Sequence, residues 1–256
     1  MAVNLEGGCR VSAVREGAPV VAGTLRIWHR IGRATGAQAI SLHVMEFAPG
    51  ISPSIRNDEC DEVLYVLERR ERETATIQID RHGYDIGSDT GIYIRPNETF
   101  AIDNRGPNSV IIISAQCPDP DRAPLFVAPL TISSDASPLD RPPLIRLSDQ
   151  RAQPTADRWY RVLVDQAIGS MQITQFVGSI PPGRAPDHFH NYEEVLFILK
   201  GAGRMWAGEI NTPIAAGSCI YLPKGQLHCV ENTGEGELRL LGVFYPAGSP
   251  SVRYDA

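Results

Sequence analysis

Apolar residues in this chain gather in short runs, about five to eight positions each, rich in Val, Ile, Leu, Tyr and Phe and separated by Gly, Pro, Asn or Asp. Stretches with helical spacing are scarce; the clearest lies around Asp149 to Asp157. The pattern therefore predicts successive strands joined by tight turns. It also repeats. Asp61-Glu-Val-Leu-Tyr-Val-Leu-Glu68 matches Glu193-Glu-Val-Leu-Phe-Ile-Leu-Lys200, and Pro49-Gly50 and Pro182-Gly183 close an apolar segment ahead of each. Further on, Ile92-Tyr-Ile-Arg-Pro96 matches Ile220-Tyr-Leu-Pro223, and Asn104-Arg-Gly106 matches Asn232-Thr-Gly234. Four features in one order mark a duplicated unit, and short strands in each unit suggest a small barrel or sandwich per half.

Between the copies, residues 118–157 carry eight prolines, which exclude a regular helix or a central strand. The expected organisation is an N-terminal barrel over 1–128, a Pro-rich connection over 129–157 and a C-terminal barrel over 158–256. The mixed-sign run Glu68-Arg-Arg-Glu-Arg-Glu73 reads as a solvated hairpin or edge strand.

Composition narrows the function classes. With 43% hydrophobic and 21% charged residues the chain is globular, and 23 Gly and 20 Pro suit an all-β class. A net charge of −6 with no basic stripe argues against nucleic acid as a partner. No apolar stretch has the length of a signal peptide or a membrane span, so the expected setting is the cytoplasm with no membrane partner. Cys9, Cys60, Cys117, Cys219 and Cys229 are odd in number and lack C-x-x-C spacing, so buried free thiols are expected rather than disulfides or a thiolate metal site.

The second copy holds Gly183-x4-His188-x-His190-x3-Glu194-x6-Gly201, followed by Gly217-x5-Pro223-x-Gly225-x2-His228-x3-Asn232, which takes in three of the chain's six histidines. Residues two apart on a strand face one side, so His188 and His190 share a face, and a bend over Asn191 to Glu193 brings Glu194 towards them. Three imidazoles and a carboxylate suit a borderline divalent transition metal better than calcium or magnesium. Spacing and punctuation together resemble the two motifs of the cupin superfamily, and the partly matching first copy makes the whole chain resemble a bicupin, two tandem jelly-roll-like β-barrels. Four residues separate Gly183 from His188 where many cupins have five. The resemblance implies that His188, His190, Glu194 and His228 bind one divalent ion per chain, iron or manganese first, with nickel, cobalt, zinc or copper also admitted.

The first copy has lost this set. Setting Glu62 against Glu194 puts Arg56 at the His188 position, Asp58 at the His190 position and Phe100 at the His228 position. Arg and Phe offer a cation no lone pair. A buried Arg56 paired with Asp58 or Glu62 is expected, which makes the first barrel structural; the rival is an Arg56 that lines a ligand pocket.

Strand parity points Gln226 and Val230 inward beside His228, and Leu196 and Ile198 inward beyond Glu194, giving a largely apolar pocket for a small molecule. Glu194, Tyr192 and Gln226 are the candidate catalytic residues; Asp187 and Glu193 flank the ligands, and Tyr160, Arg161 and Trp206 are weaker candidates. Val195, Phe197 and Leu199 point outward and are apolar, so the other half of the chain or a second copy in a homodimer must cover them. The ligand set permits dioxygenation, decarboxylation, isomerisation and hydrolysis alike. The bicupin resemblance implies a metal-dependent enzyme acting on a small oxygenated or anionic organic molecule, with a dioxygenase, an oxidoreductase, first. The alternatives are a redox-neutral isomerase, cyclase, lyase or hydrolase, and a non-catalytic module that binds metal and metabolite.

Overall fold

The computed structural model describes residues 2–67, 75–133, 135–155 and 157–251; the charged run at 68–73 lies outside them. Strands dominate, and the helical turns are short 3-10 pieces such as Arg33–Thr35 and Gln166–Ile168. The helix expected around 149–157 is instead a 3-10 turn over Leu147–Asp149 and a strand over Gln153–Thr155. Pro154 explains the difference: it has no N–H to give, and this strand is paired on one side only, at the end of its sheet. The strands Leu125–Val127 and Leu144–Arg146 from the same Pro-rich region are likewise outermost in their sheets.

Each half is built from two sheets: seven- and six-stranded in the first, eight- and four-stranded in the second. The repeated apolar runs are the strands Asp61–Val66 and Glu193–Lys200, and both faces of each are buried. Their alternate residues divide between two cores. Leu196 and Ile198 enter the second barrel's interior with Met205, Val230 and Phe244, while Leu64 and Val66 enter the first barrel's with Ile77 and Ile102. Val195 and Phe197 turn the other way and meet Val63, Tyr65 and Trp28 of the first half in a shared core. The other half of the chain thus covers the outer apolar face. Burial on both faces is why these runs are almost continuously hydrophobic rather than alternating.

The halves also exchange strands. Arg10–Ala13, which precedes the first barrel, pairs with Ser218–Leu222 of the second, and Leu144–Arg146, which precedes the second, pairs with Thr90–Ile94 of the first. Residues 10–13, expected with the first barrel, therefore complete a sheet of the second. Two carboxylates fasten the junction at matched positions. Asp61 accepts from Tyr93 Oη and from Gln172 Nε2 (2.6 Å), and Glu193 accepts from Tyr221 Oη and from the backbone N–H of Gln38 (2.8 Å) and Ala39 (2.6 Å). Hydrogen bonds to buried charge contribute about 1.5–3 kcal/mol each, so these two clamps hold the barrels in register. Glu193 is thereby committed to the junction rather than to chemistry. All five cysteines are free and buried, as composition led us to expect. Among the described residues no helix is long and apolar enough to cross a membrane.

Candidate metal centre

Gly183 begins the local geometry with φ +126°, a backbone state that suits glycine. After the pair Gly183–Arg184 the chain runs beside His228–Asn232, and His188 and His228 exchange both backbone hydrogen bonds (3.0 and 2.9 Å). That antiparallel pairing sets their side chains next to each other. His190, two residues on, falls on the same face. The ring centroids are 4.6 Å apart for His188 and His228, 4.8 Å for His188 and His190, and 5.1 Å for His190 and His228. One ligand atom from each lies within 4.8 Å of the others.

Backbone carbonyls fix two of the tautomers. His188 Nδ1 is 3.0 Å from Pro186 O, and His228 Nδ1 is 2.8 Å from Gln226 O. A carbonyl can only accept, so both Nδ1 atoms carry hydrogen, and in the neutral ring Nε2 is left with a lone pair for a cation. Burial, reinforced by neighbouring His188, holds His228 down to about 4, so it is neutral at physiological pH. Glu194 Oε2 lies 3.6 Å from His190 Nε2, too far for a hydrogen bond. Burial pushes the Glu194 carboxyl up to about 8, which leaves it protonated at neutral pH until a positive charge arrives. A cation at the trio would favour the carboxylate, and the donor set therefore fits a divalent transition metal.

The trio and Glu194 border a cavity of about 120 Å³. Its walls include Phe176, Ile180, Leu196, Val230 and Leu240, all buried. Tyr192 also borders it, stacked between the rings of His190 (4.5 Å) and Phe244 (4.2 Å). The Gln226 side chain is not on this wall. It turns back towards its own turn and Gly7, donating to Leu227 O at 2.8 Å. Strand parity does not reach it because the strand starts at His228, and Gln226 closes the Pro223-Lys224-Gly225 turn. Its contribution is the backbone carbonyl that orients His228. Asp187 is held outside by Arg184, whose guanidinium lies 4.1 Å over Trp206. Arg161 packs on Trp159, and Tyr160 lines the cavity with its hydroxyl on Gln153.

Sequence reasoning missed Arg158, which borders the cavity two residues before Tyr160. The signal was in the repeat: the pairings Ile27 with Met45 and Tyr160 with Gly178 make the two strands equivalent, so Arg158 replaces the fully buried Leu25.

The first barrel corrects one alignment. Ile55 is paired with Phe100 as His188 is with His228, and Ile55 follows Gly50 at the distance by which His188 follows Gly183. The inward residues are therefore Ile55 and Asn57, not Arg56 and Asp58, because the first copy has one extra residue between this segment and Glu62. Arg56 turns outward with its side chain 42% exposed and bonds Asp58 at 2.6 Å. It is neither a buried ion pair nor a pocket wall. Inside, Asn57 donates to Gln116 (3.2 Å), Glu62 accepts from Ser114 (2.5 Å), and His43 packs edge-on to His29. The space left there is about 10 Å³.

Comparison with known proteins agrees with this geometry. The model of the cupin domain matches residues 176–244. Auxin-binding protein 1 of Arabidopsis thaliana is 34% identical over 85 residues, 29% of this chain and 43% of that protein. An uncharacterized protein of Aquifex aeolicus is 33% identical over 86 residues (32% of this chain, 69% of that one), and the oxalate-binding protein of Thermotoga maritima is 36% identical over 66 (25% and 54%). The chain thus matches about half the length of these curated relatives. Among solved structures, Bacillus subtilis oxalate decarboxylase at pH 4.6 superposes with a TM-score of 0.75 at 15% identity, over 93% of this chain and 76% of that one, which establishes the shared fold. With two such barrels in tandem and the domain match falling on the half that carries the histidine trio, the chain belongs to the cupin superfamily.

Proposed function

We propose that the protein is a metal-dependent enzyme whose reaction takes place in the C-terminal barrel, on a small organic acid. The observation that carries this is the His188, His190, His228 trio with two fixed tautomers at the wall of a largely apolar cavity. In this reading those three imidazoles and the Glu194 carboxylate hold one divalent transition metal; the barrel of the first half, extended by Leu144–Arg146, is structural, and that of the second half, extended by Arg10–Ala13, is the working one. Bound there, such an ion supplies Lewis-acid polarisation of a substrate oxygen and, if redox-active, a place for oxygen. The protein's own groups exclude water along Phe176, Leu196 and Leu240, orient two imidazoles through backbone carbonyls, and set Tyr192 against His190 within reach of a bound acid.

Redox-neutral decarboxylation is the reaction class we place first. Oxalate decarboxylase shares the two-barrel fold, and one of its structures is described with Mn(II) centres, which makes manganese the first metal to try. Dioxygenation is the second reading, favoured by the apolar walls, which would shelter oxygen beside substrate. Catalytic contributions are assigned to Glu194 and Tyr192, and to Gln226 only through its carbonyl. The test is carbon dioxide release and oxygen uptake measured together, with the manganese- and iron-loaded protein and a panel of 2-oxo acids, diacids and phenols. Carbon dioxide without oxygen uptake supports the lyase, and stoichiometric oxygen uptake moves the assignment to the dioxygenase. Tight binding with no turnover by any loaded form would sink the enzyme reading and leave a binding module, as the names of the auxin-binding and oxalate-binding relatives describe those proteins.

A further inference from the structure

We propose that the ligand of the C-terminal barrel is a carboxylate with a ring-sized apolar body and a second acidic group at its far end, received by Arg158. The idea rests on the metal reading above, which accounts for the near end. Two observations carry it. The first is size: about 120 Å³ is a little less than the roughly 150 Å³ of an apolar cavity that holds benzene, so a ring-sized body fills the space and acidic groups fall at its ends. Oxalate, with two carbons and no apolar body, would leave Phe176, Ile180, Leu196 and Leu240 facing a void or poorly bonded water.

The second is Arg158 itself. It stands at an inward strand position, where the first barrel has Leu25 with 0% exposure. An arginine on a largely apolar wall is costly unless its charge has a use or a partner. Its Nε bonds Asp157 at 3.0 Å at the solvent edge, where Asp157 is 63% exposed, yet the Arg158 side chain is only 14% exposed and the residue lines the cavity. An arginine at the far end suits forked recognition of a carboxylate.

The test uses the full chain loaded with zinc, which is redox-inert, and reads binding by calorimetry and by tryptophan fluorescence, since Trp159 borders the cavity. Three probes suffice: 4-carboxyphenylacetate (ring and two acids), phenylacetate (ring and one acid) and oxalate (two acids, no ring). The expected order is 4-carboxyphenylacetate tighter than phenylacetate by about tenfold or more, with oxalate weakest. Arg158→Gln should remove the advantage of the second acid and leave phenylacetate affinity and zinc content unchanged; Arg158→Lys should restore part of it. Oxalate binding as tightly as the ring diacid, or Arg158→Gln weakening both ring acids equally, overturns the proposal. If Arg158→Gln does not fold, the ranking on the unaltered protein and the Lys variant decide. Failure of the metal reading looks different: zinc does not load, or every probe binds the metal-free protein equally well.

Discussion

The two barrels share a backbone plan and differ in what fills it. At the four matched positions the second has His188, His190, Glu194 and His228, and the first has Ile55, Asn57, Glu62 and Phe100. Next to these the second has Gly178 where the first has Met45, and Gly242 where it has Ser114. The outcome is about 120 Å³ of room in one and about 10 Å³ in the other, and the smaller figure admits at most one water. Losing a site therefore took more than losing its ligands: the vacated space was filled, as close packing requires of an interior with nothing to bind. Glu62 survives on the same strand position as Glu194, but with Ser114 as its hydrogen-bond partner in place of a histidine neighbour.

The largest expected effect of breaking this difference is on metal content. The unaltered protein should hold one transition-metal ion per chain, and His188→Ala with His190→Ala should hold none, by elemental analysis after dialysis. Two ions per chain would mean that Asn57, Glu62 and His43 form a second site after all. The converse change, Gly178→Met, copies the first barrel's filling. Its Cβ would stand 3.4 Å from Leu240 and 3.5 Å from Phe176, ordinary contacts, so the fold should tolerate it. Metal should stay while ring-bearing acids lose at least about tenfold in affinity.

Next comes proton linkage at Glu194. Because burial holds its carboxyl up to about 8, a cation arriving at lower pH must displace a proton. Apparent metal affinity should rise about tenfold per pH unit up to about 8 and then level off, with about one proton released per ion at pH 7. His228, already neutral above about 4, adds nothing in that window. Titration calorimetry in buffers of different ionisation enthalpy measures the proton count. Glu194→Gln should reduce it to near zero and weaken binding, since it removes the only anionic ligand; unchanged release and affinity would place Glu194 outside the centre.

The matching carboxyl in the first barrel should act on stability instead. Burial raises Glu62 to about 7 from an ordinary 4.5, so its protonated form is favoured in the folded state. A raised folded value means that stability is fullest below about 4.5 and is lost as pH climbs through 7. The loss is about 3 kcal/mol over that span. Glu62→Gln keeps a partner for Ser114 and should flatten the dependence, melting higher than the unaltered protein at pH 8. Equal melting temperatures at pH 8 would show that Glu62 is hydrated or otherwise compensated.

Much of this was legible in the residues. The repeat Asp61–Glu68 against Glu193–Lys200 announced two barrels, and the cupin motif spacing singled out the three histidines that the fold brings together. What failed did so for local reasons. Aligning backwards from Glu62 put Arg56 in the site, because a one-residue insertion after Asn57 is invisible when only the strand following it is matched; counting forward from Gly50 gives Ile55. Gln226 was assigned a strand parity that a turn interrupts. Arg158 was passed over because a lone arginine near Trp159 and Tyr160 shows no facing until its strand is laid on Leu25–Ile31. Tertiary clamps such as Glu193 on Gln38 and Ala39 join residues far apart in the chain and leave no pattern within either segment.

The smallest effect is expected at Arg56, and it reverses what the sequence led us to expect. A buried arginine at a vacated ligand position would destabilise the fold by several kcal/mol on truncation, because its partner would be left charged in the interior. Arg56 is instead 42% exposed and Asp58 27% exposed, so water solvates both partners and the 2.6 Å contact between them replaces hydration rather than adding to it. Surface pairs of this kind contribute about 0–1 kcal/mol. Arg56→Ala should therefore shift the melting temperature by no more than a few degrees at low salt, and by less in 0.5 M salt, where the pair is screened. Metal content and ligand affinity should not move, since Ile55 and Phe100, not Arg56, stand where the second barrel has His188 and His228. A loss of several kcal/mol, or any loss of ligand binding in a well-folded and metal-loaded variant, would return Arg56 to the barrel interior and restore the backward alignment.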